Sequence, residues 1–336
     1  MKILYTYETE QEKSYIAEKL SMHDVVFHAG SLQDNPPTGG WSGEDIECLC
    51  IFVNSTIGNA ECEQFPDLKY IATRSTGFDH IDMKCAHERS IVVSSVPSYG
   101  EHTVAEYAFA LLLTLSRNMS AASKRVQEGS FSSEGLSGFD LYGKTIGVLG
   151  TGKIGKNVIK IARGFGMTVT AFDLYPDQGF AKENNFAYTS LEEVISHADI
   201  ISLHLPQTTD TEHIIDKVMI SKMKKGSIII NTARGSLIDT AALVWGLKEG
   251  IIAGAGLDVL DEEGYVADEM KLLSHDSPDP DELKTLLLNH YLIDHPHVVI
   301  TPHNAFNTRE ALQRILDVTV ENIQRFTSGS FLNVVK

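Results

Sequence analysis

Short apolar, β-branched runs alternate along this chain with longer stretches whose apolar positions recur every three or four residues. Strand-like runs fall at residues 3–7, 25–28, 48–53, 70–73 and 91–93, with a helical pattern at 12–20. Residues 31–43, carrying Pro36-Pro37 and Gly39-Gly40, read as a loop. From 102 to 117, Val104, Ala105, Ala108, Phe109, Leu111, Leu112, Leu113 and Leu115 cover most of a helix's circumference. That predicts a helix buried on nearly all sides, crossing between domains and offering a dimer surface. The rhythm continues with a strand at 145–149, a helix at 153–165 and strands at 167–172, 200–205, 227–231 and 254–259. An acidic, proline-containing stretch at 261–297 interrupts it. A strand pattern resumes at Ile300, and 308–327 reads as a closing amphipathic helix. Such alternation over 336 residues predicts α/β architecture in two domains with well-buried cores.

The segment from 145 to 173 is the most specific part of the pattern. A buried strand runs into Gly150-Thr-Gly-Lys-Ile-Gly155, a helix follows, and the next strand ends at Asp173, eighteen residues past Gly155. Gly150 permits a tight turn, Gly152 lets backbone approach a pyrophosphate, and Gly155 lets helix and strand pack closely. The helix N-terminus offers free N–H groups to the phosphates. Asp173 is placed to accept from ribose hydroxyls and to repel a 2′-phosphate, which selects NAD over NADP. Because this fingerprint starts near residue 145, an independently folded unit is expected before it.

Lys and Arg total 28 against 45 Asp and Glu, a formal charge of −17. That balance disfavours nucleic acid and anionic membrane as partners. The four cysteines (Cys48, Cys50, Cys62, Cys85) lie in the first quarter of the chain and read as reduced thiols of a cytosolic core. Lys2-Ile-Leu-Tyr-Thr-Tyr7 meets charge at Glu8, unlike a signal peptide, and no run approaches the ~18 apolar residues of a membrane span. A soluble, cytoplasmic protein is expected. His275, Asp276, His290, Asp294, His295 and His297 crowd one region without any repeated metal-ligand spacing, so a surface loop and no metal are expected there.

Three further motifs sit at strand ends, where a doubly wound sheet places ligands. Asn231-Thr-Ala-Arg-Gly-Ser236 puts an arginine where it can hold a small carboxylate bidentately. Gly256-Leu-Asp-Val-Leu-Asp-Glu-Glu263 closes a strand with acids, and Thr301-Pro-His-Asn-Ala-Phe306 carries a lone histidine. Arginine, glutamate and histidine at one crevice form a kit for reducing a 2-oxo acid. The histidine protonates the carbonyl oxygen, a carboxylate on its other ring nitrogen orients it, and the arginine anchors the substrate carboxylate. A nicotinamide would supply the hydride.

Taken together and in order, these motifs resemble the D-isomer-specific 2-hydroxyacid dehydrogenase family, most of all its D-lactate dehydrogenase branch. The resemblance also runs through Arg74-Ser-Thr-Gly-Phe-Asp79, Val96-Pro-Ser-Tyr-Gly100 and His204-Leu-Pro206. It implies two doubly wound parallel-sheet domains. A flavodoxin-like substrate domain would comprise 1–99 plus 304–336, and an inserted Rossmann NAD-binding domain 100–303, closing over the substrate in a cleft. It also implies Arg234, Glu263 and His303 as the catalytic set, with Glu262 an adjacent competitor of Glu263. Thr76 and Gly77 would cradle the substrate carboxylate with their N–H groups. Lys153 and Ile154 match the pyrophosphate turn and Asp173 the ribose acid. Pro206, Thr211, Thr232, Ala233, Arg234, Asp258 and His303 match further cofactor contacts, with Asp258 near the nicotinamide amide.

The implied substrate pair is pyruvate and D-lactate, because Phe306 and Tyr99 match aromatics that wall a small apolar pocket in the lactate branch. Residues 264–297 resemble an insertion of that branch. Asn54 departs from the pattern where some D-lactate enzymes carry an aromatic residue, which leaves hydroxypyruvate, glyoxylate or another 2-oxo acid open. A different class stays open too. C-terminal-binding-protein corepressors, which sense NAD(H), share this fold and the Arg/Glu/His set. Those proteins typically carry long disordered tails, whereas only 328–336 follow the last helix here, so an enzyme, acting as a homodimer, is expected.

Overall fold

Strands that are apolar on both faces need helices on both sides, and parallel pairing supplies them. In the computed structural model every named strand pairs in parallel, and the chain divides into two compact units, Met1–Tyr99 with Asn307–Lys336 and Gly100–Phe306. The structure describes residues 1–33, 43–261 and 280–335.

The first unit holds β1 (Lys2–Tyr7), β2 (Asp24–Ala29), β3 (Cys48–Ile51), β4 (Tyr70–Thr73) and β5 (Val92–Ser94) in the order β2-β1-β3-β4-β5. This is the flavodoxin-like order, whose reversal at β1/β3 opens a crevice at the carboxyl ends. β3 and β4 are buried along their whole length, as central strands should be. Helix α1 (Glu10–Lys19) starts where the Thr9 side chain accepts from the Glu12 N–H, and α2 (Asn59–Gln64) and α3 (Met83–Glu88) follow later strands. The C-terminal helix α12 (Arg309–Thr327) returns to this unit, where Phe326 stacks on Tyr70 at 4.2 Å and Asn322 Nδ2 donates to Ser95 O at 2.9 Å.

The second unit opens with α4 (Glu101–Ser116) and α5 (Met119–Gln127). Then come β6 (Thr145–Leu149), α6 (Lys153–Gly164), β7 (Thr168–Phe172), α7 (Gln178–Glu183), β8 (Ala187–Tyr188), α8 (Leu191–His197) and β9 (Ile200–Leu203). After α9 (Lys217–Lys222) the unit closes with β10 (Ser227–Asn231), α10 (Thr240–Lys248), β11 (Ile252–Leu257), α11 (Pro280–Ile293) and β12 (Val298–Ile300). The sheet order β12-β11-β10-β9-β6-β7-β8 reverses between β9 and β6, where a dinucleotide fold places its ligand.

Two expectations change. The stretch 261–297 is no structureless interruption, because α11 lies inside it and packs on α10 and β12. Pro280 stands at its first position, where the missing N–H costs nothing, and Leu292 is buried in the core. His290 lies on this helix, while His275 and Asp276 fall outside the described residues. Helix α4 also keeps one solvent edge, with His102, Glu106 and Ala110 exposed. Its apolar sides cover α6 and the sheet from β10 to β12. Among the described residues no helix is long and apolar enough to cross a membrane.

Candidate active site

The turn between β6 and α6 is built on glycines that a side chain could not replace at Gly150 and Gly155. Gly150 sits at φ +91°, and a side chain there would also come within 2.6 Å of His204 O at the end of β9. A Cβ on Gly155 would overlap Gly150 O. At Gly152, the N-cap of α6, nothing lies within 4 Å of where a Cβ would stand, so the helix N-terminus opens to space. No acidic side chain sits in the first turn of α6. Lys153 pairs with Glu101 at 3.4 Å, and Ile154 packs into the core beneath.

Asp173 stands just beyond β7 with its carboxylate already oriented. Its Oδ2 accepts from Thr151 N at 2.6 Å and Thr151 Oγ at 2.8 Å, and its Oδ1 accepts from Tyr175 N at 2.8 Å. Burial works to raise this carboxyl, but the donors of Tyr175 and Thr151 outweigh it and hold the group below its usual range. A glycine turn open at a helix N-terminus, beside an ionised carboxylate, fits a dinucleotide carrying a free ribose diol.

Across the switch point, burial pushes the His204 imidazole down to about 3, and its Nε2 lies 2.8 Å from Ser202 Oγ. The folded protein therefore keeps His204 neutral where an unfolded chain, titrating near pH 6.5, takes up a proton. The unfolded state binds more protons between those two values, so stability falls as pH drops through that window, by up to about 1.4 kcal/mol per pH unit. His204→Gln is expected to flatten the fall in Tm between pH 6.5 and 4. Identical pH profiles for both proteins would show that this imidazole does not set the acid limit. Beside it, Thr211 Oγ donates to Pro206 O at 2.7 Å and accepts from Thr208 N at 2.8 Å, so this hydroxyl braces the turn after β9.

The exits of β10, β11 and β12 are laced together. Asn231 is fully buried; its Oδ1 accepts from Ala233 N at 3.0 Å and its Nδ2 donates to Arg234 O at 2.8 Å. That clamp shapes the Thr232–Arg234 loop, and the half-buried Arg234 donates from Nη1 to Ala233 O at 2.8 Å. The Thr232 and Ser236 hydroxyls are buried without a protein partner among the described residues. A Cβ on Gly235 would overlap the backbone of Leu260, so this loop rests directly against the exit of β11.

From that exit Asp258, 1% exposed, holds the histidine loop. Its Oδ1 accepts from Thr301 Oγ at 2.5 Å and Asn304 N at 2.8 Å, and its Oδ2 accepts from Ala305 N at 2.8 Å. Its backbone carbonyl takes His303 N at 2.8 Å. Between these anchors His303 adopts φ +49°, a left-handed conformation that histidine rarely takes unless its surroundings impose it. Burial raises the Asp258 carboxyl and the three donors partly offset it. The family resemblance implies a cofactor contact for Asp258; in this structure both its oxygens accept from the loop that carries His303.

In the first unit, Thr76 and Gly77 follow β4 in a turn held by two side-chain hydrogen bonds. Ser75 Oγ donates to Gly77 O at 2.6 Å, and Thr76 Oγ donates to Val96 O at 2.7 Å. Just before it, the buried Arg74 pairs with Glu12 and lies over the rings of Tyr5 and Phe52 at 5.0 and 5.3 Å. Tyr99 is half-buried, and its carbonyl accepts from Arg314 Nε at 2.9 Å and Nη2 at 2.6 Å. Asn54 is exposed at the exit of β3, with Nδ2 donating to Glu8 at 2.9 Å. Phe306 is half-buried and ends the second unit. Glu262 and Glu263 lie outside the described residues. Sequence reasoning gave no role to Asn231, Thr301 or Thr151, although each is a short polar residue at a strand end, the position from which a side chain can bind loop backbone.

Residues 109–305 match the family described as D-isomer specific 2-hydroxyacid dehydrogenase, NAD binding domain. The chain is 39% identical over 285 residues to D-lactate dehydrogenase of Escherichia coli K12, covering 84% of each protein. It is 42% identical over 281 residues to an aromatic 2-oxoacid reductase of Clostridium sporogenes, covering 83% of this chain and 82% of that one. The crystal structure of D-lactate dehydrogenase from Aquifex aeolicus, complexed with NAD and lactic acid, superposes with a TM-score of 0.85 at 32% identity, covering 97% of this chain and 96% of that one. With the NAD-type turn, the paired parallel sheets and this similarity along most of its length, the chain belongs to the D-isomer-specific 2-hydroxyacid dehydrogenase family of NAD-dependent oxidoreductases.

Proposed function

We propose that this protein interconverts a 2-oxo acid and its D-2-hydroxy acid with NADH, and that pyruvate and D-lactate are its preferred pair. The observation that carries the reading is the lacing of β10, β11 and β12, which fixes the Arg234 backbone and holds His303 in a left-handed turn at adjoining strand exits. Bound NADH would supply the hydride. Arg234 would hold the substrate carboxylate through its planar fork, and the N–H groups of Thr76 and Gly77 would share that charge. His303 would hand its proton to the carbonyl oxygen and recover it in the reverse direction, and Glu263, which matches the family's His-partner glutamate in sequence, would assist it. Thr232, whose buried hydroxyl lacks a protein partner among the described residues, would join Ala233, Pro206 and Thr211 in lining the cofactor site.

The resemblance of Phe306 and Tyr99 to aromatics of the lactate branch would favour a substrate with a methyl side chain. A second reading, reduction of aromatic 2-oxo acids, is favoured by the Clostridium sporogenes relative and by Asn54, a smaller residue than the aromatic of some D-lactate enzymes. NADH oxidation against pyruvate, 2-oxobutyrate, hydroxypyruvate, glyoxylate and phenylpyruvate separates the two. Pyruvate is expected to give the highest kcat/KM. Phenylpyruvate in the lead would transfer the assignment, and silence across the panel combined with tight NADH binding would favour a sensing protein.

We also place this protein in the cytoplasm, in keeping with its four unpaired cysteines, as a homodimer. Helix α4 spends its apolar sides on its own sheet. The interface is better supplied by α5 and the segment after it, where Met119, Val126 and Phe131 are 55%, 46% and 88% exposed. A monomer mass by light scattering at micromolar concentration would remove the dimer.

A further inference from the structure

Asp173 does not stand alone at the end of β7. Thr151, the second residue of the glycine turn, is 5% exposed and gives both its N–H and its hydroxyl to Asp173 Oδ2, at 2.6 and 2.8 Å. A hydroxyl has one proton, and Thr151 spends it on the carboxylate. The Tyr188 hydroxyl on the outer strand β8, 2.9 Å from Thr151 Oγ, must therefore be the donor in that contact. The result is a directed chain, Tyr188 O–H to Thr151 O–H to Asp173, in which each bond polarises the next. On the other oxygen, Tyr175 N closes the frame at 2.8 Å.

We propose that Thr151 and Tyr188 are positioning residues for cofactor choice, locking the Asp173 carboxylate in the one orientation that accepts a ribose diol and cannot swing away from a 2′-phosphate. The proposal rests on the reading of Asp173 as the ribose acid and extends it to two residues that need not touch the cofactor themselves. The chemistry selected is a 2′-hydroxyl over a 2′-phosphomonoester on an adenine dinucleotide. An acid held only at its own Cα could rotate from the phosphate and relieve the repulsion. Selectivity therefore depends on the frame as well as on the charge.

The experiment is fluorescence titration of NADH and of NADPH, without substrate, on wild type, Thr151→Val, Thr151→Ser, Tyr188→Phe and Asp173→Ala. For Thr151→Val the NADH Kd is expected to rise about fivefold, the scale of one side chain that must be ordered on binding. NADPH should bind no more weakly than to wild type, so the selectivity ratio narrows. Tyr188→Phe should move the ratio the same way by a smaller factor, and Thr151→Ser should restore it. Equal weakening of both cofactors would mark a merely structural role and overturn the proposal, as would unchanged ratios in both Thr151→Val and Tyr188→Phe. If Thr151→Val does not fold, Tyr188→Phe alone decides. Wild type binding both cofactors equally, or Asp173→Ala leaving the ratio untouched, would overturn the ribose-acid reading and this extension with it. A narrowed ratio in Asp173→Ala alone would leave that reading standing and remove only the frame.

Discussion

Replacing His303 by Asn is expected to lower kcat for 2-oxo acid reduction by about 10²–10⁴-fold, the span general acid catalysis contributes, with NADH affinity nearly intact. Asparagine suits this position. His303 sits at φ +49°, and Asn adopts the left-handed region more readily than most residues. The variant therefore keeps the loop's backbone and its capacity to hydrogen-bond while removing the imidazole proposed as the proton donor. Alanine would confound lost chemistry with a strained turn. Steady-state kinetics and a fluorescence titration of NADH on the same preparation separate the outcomes. An unchanged kcat would take His303 out of the reaction, and lost NADH binding would point to collapse of the loop.

Much of this candidate site can be proposed from the sequence because its parts are local. The glycine turn from Gly150 to Gly155 constrains backbone within six residues, and Asp173 follows at a distance set by one helix and one strand. Likewise Arg234 and His303 each stand three residues past an apolar strand end, so parallel topology alone carries both to the ligand side of the sheet. What escaped were residues that act across sequence distance. Asp258 contacts Thr301, Asn304 and Ala305 more than forty positions away, and nothing in the 256–263 run reveals that its carboxylate faces the next strand's exit. Tyr188 reaches Thr151 only because β8 pairs beside β7. Helix α11 escaped because the acidic residues and prolines around it outweighed the leucine-rich run at 286–288 in a compositional reading.

The second large effect is expected from Asp258→Asn, an isosteric change that reverses half of the hydrogen bonding at a site 1% exposed. The carboxylate accepts two donors on Oδ1 and one on Oδ2. An amide offers one acceptor and one NH₂, so whichever way it turns, its NH₂ faces at least one buried protein donor. Each unsatisfied buried donor costs about 1–3 kcal/mol. Relief from burying a carboxylate, whose protonation burial already favours, offsets part of this. A net loss of about 2 kcal/mol follows. The kinetic consequence is larger, because either Asn304 or Ala305, whichever faces the amide NH₂, no longer pins the loop whose next-door residue is His303. A displacement near 1 Å of a proton donor can lower kcat by about 10²-fold. The same variant decides between two roles for Asp258. If it anchors the loop, kcat falls at temperatures well below Tm while NADH affinity holds. If instead it contacts the nicotinamide amide, as the family resemblance implied, the NADH Kd rises first and kcat at saturating NADH changes little. Burial to 1% exposure, with three donors all drawn from the segment that carries His303, favours the anchor.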